Sequence, residues 1–481
     1  MAFGTSGARG LVTRMTPDVC SAYAQAFLRA VCPEAKNLVI GHDLRPSSPA
    51  MAAACAQAAA NAGLEVAFVG ALPTPAVAHY AATLHAPSII ITGSHIPFDR
   101  NGIKFYRAEG EISKADEQAM LSATVALPQV DELLSPLPPV EVQAQQVYLR
   151  RYVDFFGAQA LQGLRVAVYE HSSAARDVLR SILEALGAQV LSLGRTDTFV
   201  PIDTEAVRQE DIAQARQWAQ AHGFDAILST DGDADRPLIG DEQGNWLRGD
   251  VVGILCAQYL GADVVVTPVS SNTAVEQSAI FARVIRTRIG SPHVIAGMED
   301  VASMQAPSRK EEPPVVVGYE ANGGFLLGSE VVRSGGHLKA LPTRDAVLPM
   351  LALLCMAREK GCRLSELSAH LPRRYTASDR LQDFATETSR ELIARLGGDM
   401  GHAAELLASD AGPVVAANTI DGLRLTFANG DIVHLRPSGN APELRCYAEA
   451  DSEARARALC DGALQSVLSL SREESHEQPG R

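Results

Sequence analysis

Three aspartates stand at alternate positions in Ala226-Ile227-Leu228-Ser229-Thr230-Asp231-Gly232-Asp233-Ala234-Asp235-Arg236, directly after an apolar run. In an extended segment, residues i, i+2 and i+4 point the same way, so Asp231, Asp233 and Asp235 can converge on one hard cation. Glu242 lies at the twelfth position from Asp231, which raises a calcium loop. That reading fails, because Arg236 holds the sixth place, where such a loop needs glycine, and Pro237 follows. Solvated surface acids are the plainer alternative, yet three crowded charges repel without a metal. Three carboxylate ligands leave places for water and a phosphoryl oxygen, which suits Mg²⁺.

A second constellation is Ile89-Ile90-Ile91-Thr92-Gly93-Ser94-His95-Ile96-Pro97. A β-branched run ends in Gly93 and presents Ser94 and His95 in a turn, a nucleophile beside a base. A serine that only caps the turn is the commoner meaning of an isolated Ser-His pair. The hydrolase elbow G-x-S-x-G is not met, since Ile96 stands where its last glycine belongs. Asn101-Gly102-Ile103-Lys104 then offers a further turn and a cation for the same mouth. Near the C-terminus, Leu435-Arg436-Pro437-Ser438-Gly439-Asn440 pairs a guanidinium fork with a hydroxyl and loop amides, a phosphate-binding combination that an ordinary turn also resembles. Gly318-Tyr319-Glu320-Ala321-Asn322-Gly323-Gly324 places Glu320 and Asn322 among glycines, where they could read vicinal hydroxyls or form a plain loop.

The elements that must position these groups recur. An apolar strand, a turn containing serine and an Ala/Leu-rich helix occur three times: Leu38–Ile40 with a helix from Ala50 to Ala62, Leu164–Val168 with a helix to Leu186, and Val264–Val266 with a helix to Ala282. Ser or Asn stands at each expected helix N-cap, and Gly63 and Gly187 stand at two helix stops. Strand alternating with helix predicts sheets covered by helices, hence three similar α/β domains, with one large sheet as the alternative. The last hundred residues differ. Ala428-Asn429-Gly430-Asp431 between Leu423–Phe427 and Ile432–Leu435 predicts a hairpin; a strand at Leu444–Tyr447 and a helix from Ser452 to Leu470 follow. Pro128–Val142 reads as a linker and the polar tail from Ser471 as disordered.

A chain of 481 residues has room for about three domains. Its net charge of −14 argues against nucleic acid or anionic lipid as the main partner. Eight cysteines without a C-x-x-C pair predict reduced, mostly buried thiols, and no signal pattern opens the sequence. The strongest apolar run, Val347–Ala357, is too short to span a bilayer and contains Pro349. A cytoplasmic protein without nucleic-acid or membrane partners is the expectation.

Taken in order, the four constellations and the segment Phe3-Gly4-Thr5-Ser6-Gly7-Ala8-Arg9-Gly10 resemble the α-D-phosphohexomutase family over nearly the whole chain. Gly110-Glu111-Ile112-Ser113-Lys114-Ala115-Asp116 is similar to its bacterial phosphomannomutase branch. The resemblance implies α/β architecture: three related α/β/α sandwich domains and a C-terminal α+β domain of TATA-binding-protein-like type around a central cleft. The expected divisions are 1–138, 139–250, 251–370 and 371–470, with a tail at 471–481. It implies that Ser94 carries the phosphoryl group and that Asp231, Asp233 and Asp235, with phosphorylated Ser94, bind Mg²⁺. Arg9, His95, Lys104 and Arg236 would contact the phosphoserine or move protons, with Lys104 slightly preferred over His95 as acid–base. Glu320, Asn322 and Gly323 would read the sugar, and Arg436, Ser438, Gly439 and Asn440 its phosphate.

The implied activity interconverts hexose 6-phosphate and hexose 1-phosphate, mannose above others, through a hexose 1,6-bisphosphate, in a monomer or homodimer. Glucose or glucosamine phosphates are the alternatives within the class; a metal-dependent sugar-phosphate phosphatase and a non-catalytic binder lie outside it. Three departures bear on the sugar rather than the reaction: Ile96 in place of asparagine, Gly324 in place of histidine, and Asn440-Ala441 in place of Thr-Glu.

Overall fold

The computed structural model describes residues 2–3, 7–125, 135–303, 313–438 and 442–477. They form two compact units, one of 1–266 with 290–369 and the other of 267–289 with 370–481.

The first unit contains three larger sheets and a two-stranded one, Val331–Arg333 with Gly336–Leu338. In the first, the strands run in the order Ala2–Phe3, Ala8–Leu11, Arg100–Arg107, Ser88–Ile91, Asn37–His42, Glu65–Ala71, with Gly110–Glu111 beside Arg100–Arg107. Asn37–His42 is parallel to both Glu65–Ala71 and Ser88–Ile91, as helical crossovers require. Alternation along the strand covers both faces. Leu38 and Ile40 pack into a core with Phe27, Cys55 and Phe105, while a Cβ at Gly41 would meet Val77 of the helix Thr74–Thr83. The second sheet runs Pro237–Gly240, Ala226–Thr230, Arg165–Tyr169, Gln189–Leu193; only its first pair is antiparallel. In the third, Val264–Pro268 is parallel to Val316–Tyr319, and Phe325–Leu327 and Leu341–Asp345 continue it antiparallel.

The second unit holds an antiparallel sheet in the order Tyr375–Leu381, Leu444–Ala450, Ile432–Pro437, Leu423–Phe427, Val414–Asn418. One face is covered by Thr386–Gly398, Met400–Ala408 and Glu453–Glu477, whose apolar residues share a core with Leu425, Val433 and Cys446. The predicted hairpin is present. Gly430 turns at φ 89°, and the Phe427 amide donates to the Asp431 carbonyl at 2.9 Å. Three related α/β/α arrangements and a separate α+β module are thus the fold.

Several local expectations change. The third repeated helix ends at Gln277 rather than Ala282, and Ala279 lies at φ 52°, outside helical geometry. None of the three repeated helices has the expected serine or asparagine side-chain N-cap. Ser173 and Asn272 instead accept from amides two residues on, at 3.0 and 2.7 Å, and Ser48 donates to Asp43 at 2.6 Å. The last helix runs to Glu477, so the segment from Ser471, expected to be disordered, is helical that far. Part of the expected linker, 128–134, lies outside the described residues, as does 478–481. All eight cysteines are free, six of them buried. Among the described residues, no helix is long and apolar enough to cross a membrane.

Candidate active site

Ser94 sits where the buried strand Ser88–Ile91 runs out. Its φ is 53°, a left-handed conformation uncommon for a residue with a Cβ. The surroundings hold it there. The Ser94 amide donates to Thr92 Oγ1 at 2.8 Å, and the fully buried Arg45 grips the loop from beneath. Arg45 donates to the carbonyls of Ser94 (2.9 Å), Ile96 (2.6 Å), Pro97 (2.8 Å) and Arg100 (3.0 Å), and its Nε pairs with Asp43 at 3.1 Å. Its guanidinium also lies 4.0 Å over the Phe199 ring. Contrary to an open turn, Ser94 is only 1% exposed.

The aspartate loop approaches from the second sheet. Asp231, Asp233 and Asp235 offer oxygens all within 4.8 Å of one another. The convergence comes from a tight turn rather than extended chain: the Asp231 amide donates to the Arg236 carbonyl, and Ala234 has φ 56°. A Cβ on Gly232 would come within 2.8 Å of the Ser94 carbonyl, so glycine lets the two loops meet. Ser94 Oγ donates to Asp231 Oδ2 at 2.5 Å.

These carboxylates are buried, not surface acids. Asp233 Oδ2 accepts from Thr74 Oγ1 and Lys104 Nζ, both at 2.6 Å; Asp235 Oδ2 accepts from Lys104 at 2.6 Å and from Arg344 at 2.7 and 3.1 Å. The other oxygen of each, Oδ1, is buried without a hydrogen-bond partner. Two orphaned carboxylate oxygens beside a third carboxylate fit a divalent cation of the hard, oxygen-seeking kind.

Charge is crowded here. Burial, then Asp233 and Asp235, push the Asp231 carboxyl well up. Burial alone would also raise Asp235, but Arg344, Lys104 and Arg236 outweigh it and hold it below the usual range. Lys104 lies mid-strand in Arg100–Arg107 rather than in the expected turn, and is 2% exposed. Burial opposes its charge, yet Asp233 and Asp235 raise its pKa. It is held as an ammonium by two carboxylates.

His95 Nδ1 lies 3.2 Å from Ser94 Oγ and accepts from Arg236 Nη1 at 3.0 Å; burial and then Arg236 keep the ring neutral. Burial and its neighbours Arg236 and Arg344 push the Arg9 guanidinium down to about 10. Ser94, His95, Lys104, Arg236 and the three aspartates are therefore one cluster, and Arg9 feels the charges of Arg236, Asp233 and Asp235.

Glu320 and Asn322 are buried at the end of Val316–Tyr319. Asn322 Oδ1 accepts from the Gly324 amide at 2.9 Å, and Gly323 turns at φ 89°. Arg344 ties this loop to the cluster, since its Nη1 donates to Glu320 Oε2 at 3.1 Å. In the second unit, Arg436 pairs with Asp421 at 3.0 Å, and with Ser438, Arg288 and Arg390 it lines a cavity of about 680 Å³. Gly439 and Asn440 fall outside the described residues.

Sequence reasoning missed Thr74, Arg45 and Arg344. Arg45 stood in a recognised turn but gave no hint of its reach. Thr74 and Arg344 lie in no chemical motif.

Four family models match in order: "Phosphoglucomutase/phosphomannomutase, alpha/beta/alpha domain I" over 1–128, domain II over 146–244, domain III over 248–375, and the C-terminal domain over 401–465. A phosphomannomutase of Salmonella muenchen is 46% identical, covering 97% of this chain and 95% of its own length. One from Sinorhizobium fredii is 44% identical, with 93% and 95% covered. The crystal structure of a phosphoglucomutase/phosphomannomutase family protein from Burkholderia thailandensis superimposes with a TM-score of 0.74 at 19% identity, covering 97% of both chains. That last likeness speaks for the fold.

Proposed function

This chain belongs to the phosphoglucomutase/phosphomannomutase family, and on that premise we propose that it interconverts mannose 6-phosphate and mannose 1-phosphate through phosphorylated Ser94. The observation that carries the reading is Ser94 Oγ, fixed 2.5 Å from Asp231 within a buried group of three aspartates.

Phosphoryl transfer asks for positioning and charge neutralisation more than covalent help. Asp231, Asp233 and Asp235, with phosphorylated Ser94, are the proposed ligands of Mg²⁺, which when bound neutralises charge on the phosphoryl group. Arg9 and Arg236 add cationic donors around Ser94. The substrate's hydroxyl takes the phosphoryl group from Ser94, forming hexose 1,6-bisphosphate and freeing the serine. The bisphosphate turns over and returns its other phosphoryl group to Ser94, so no phosphate is consumed.

The hydroxyl proton must go to a base as the new ester forms. Lys104 and His95 are the two candidates, and Lys104 can serve only after losing a proton that two carboxylates now stabilise. Glu320, Asn322 and Gly323 are the proposed sugar-reading groups. Arg436 and Ser438, continued by Gly439 and Asn440, are the proposed holders of the substrate's own phosphate. The partners are small sugar phosphates, in a cytoplasmic monomer or homodimer.

Mannose 1-phosphate, glucose 1-phosphate and glucosamine 1-phosphate, each supplied separately with Mg²⁺ and a trace of hexose 1,6-bisphosphate, test this directly. Mannose should be converted fastest. Free phosphate without an isomerised sugar would make the protein a phosphatase instead.

A further inference from the structure

Arg344 is 2% exposed and occupies the penultimate position of the strand Leu341–Asp345. Its neighbours are pinned. Thr343 Oγ1 lies 3.2 Å from the Tyr106 hydroxyl, and Asp345 accepts from Tyr148 at 2.8 Å, from Tyr152, and from the Val347 amide at 3.0 Å. Alternation along the strand then sends Arg344 to the opposite side, where one guanidinium reaches two loops. Nη2 and Nε meet Asp235 Oδ2 at 2.7 and 3.1 Å, and Nη1 meets Glu320 Oε2 at 3.1 Å.

Gly324 completes the arrangement. Its backbone does not adopt a positive φ, so conformation does not demand glycine there. Space does: a Cβ would lie 2.6 Å from Arg344 Cδ and 3.0 Å from its Cγ. The loop gives up a side chain at 324 so that the arginine stem can pass.

The two carboxylates depend on this arginine unequally. Asp235 also has Lys104 at 2.6 Å. Among the described residues, Arg344 is the one cation within ion-pair distance of Glu320, which is 4% exposed. Without it, a buried carboxylate is left to take up a proton or turn away, and an acceptor for a sugar hydroxyl is lost.

We propose that Arg344 is a positioning residue that fixes Glu320 for the sugar and locks the sugar loop to the aspartate loop, an inference that rests on the mutase reading above. A lysine would not replace it, because Nε and Nη2 reach Asp235 while Nη1 reaches Glu320, and a single ammonium on a flexible stem does not reproduce that rigid, spread set of donors.

Titration calorimetry with mannose 1-phosphate in saturating Mg²⁺, on full-length Ser94→Ala protein, removes turnover from the measurement. Adding Arg344→Met should weaken binding by about tenfold or more, the usual loss for a charge-assisted hydrogen bond. Glu320→Gln should weaken it comparably, and the combined variant should be no worse than Glu320→Gln alone, since the arginine acts through the glutamate. Arg344→Lys should not restore binding, and it supplies the same readout if Arg344→Met does not fold. Unchanged affinity in the arginine variants, or losses that multiply in the combined variant, overturns the inference. If the Ser94→Ala parent itself binds no mannose 1-phosphate, the mutase reading falls and this one with it; if the parent binds and the arginine variants bind equally, only the role of Arg344 falls.

Discussion

Asp233 and Asp235 each turn one carboxylate oxygen to protein donors and leave the other, deeply buried, without a hydrogen-bond partner, the nearest cation to that of Asp235 being Arg236 Nε at 3.8 Å. Such an oxygen costs free energy unless a cation takes it. Asp233→Asn and Asp235→Asn should each weaken Mn²⁺ binding by about tenfold or more, read by calorimetry on the unphosphorylated protein. Binding that stays at the parent's strength would make the loop structural. Ser94 makes the complementary case. The wild-type protein should gain one phosphoryl group from hexose 1,6-bisphosphate, seen by intact mass and located by peptide mapping, and Ser94→Ala should gain none. Phosphate at another residue would contradict the assignment.

Loops acquire their shape from what lies beneath them. Arg45 satisfies four carbonyls of the segment from Ser94 to Arg100 and is itself paired with Asp43. Arg45→Met would take the guanidinium from those carbonyls and leave the buried Asp43 without its cation, a loss of about 3–5 kcal/mol. Urea unfolding should show that loss, and the folded fraction should take up phosphate at Ser94 slowly; an unaltered midpoint would mean the loop does not need its latch. The strand Ile432–Pro437 delivers Arg436 in the same manner. A mutase must hold the phosphate that stays on the sugar in both half-reactions. Arg436→Ala should therefore slow mannose 1-phosphate to 6-phosphate and the reverse by similar factors, about ten- to a hundredfold. A loss confined to one direction would mean the residue reads a single orientation of the sugar.

Across the molecule, acid sensitivity is built in through buried histidines. Burial lowers the imidazole of His171 in the first unit and of His434 in the second to about 4 each. His434 Nε2 donates to the Asp421 carbonyl at 2.6 Å and its ring stacks on Tyr447, with Arg424 and Arg436 nearby opposing a further charge. The unfolded chain binds these protons near pH 6.5 and the folded chain does not. The stability they represent is complete above about pH 6.5 and falls with pH until about 4, by about 1.4 kcal/mol per pH unit for each histidine. Urea midpoints measured between pH 7 and pH 4 should fall accordingly, and His434→Gln should flatten the fall for the second unit. An equally steep fall in that variant would place the acid sensitivity in other groups.

Local spacing was enough to mark Ser94, the three aspartates and the Asn429-Gly430 hairpin, because a turn after an apolar run and alternate carboxylates are patterns of near neighbours. The repeated strand–turn–helix units were legible for the same reason, since hydrophobic periodicity acts within a few turns of chain. What lay beyond the sequence is the pairing of groups far apart along it: Lys104 with Asp233 and Asp235, Thr74 with Asp233, Arg344 with Asp235 and Glu320. No spacing encodes those meetings. Ser94 was expected in an open turn and is buried, because the aspartate loop and Arg45 close on it from other elements. The sequence by itself determined which side chains are of a kind to carry the chemistry; strand register and the packing of loops decided which charges neutralise one another, since ion pairs form by distance in space and not along the chain.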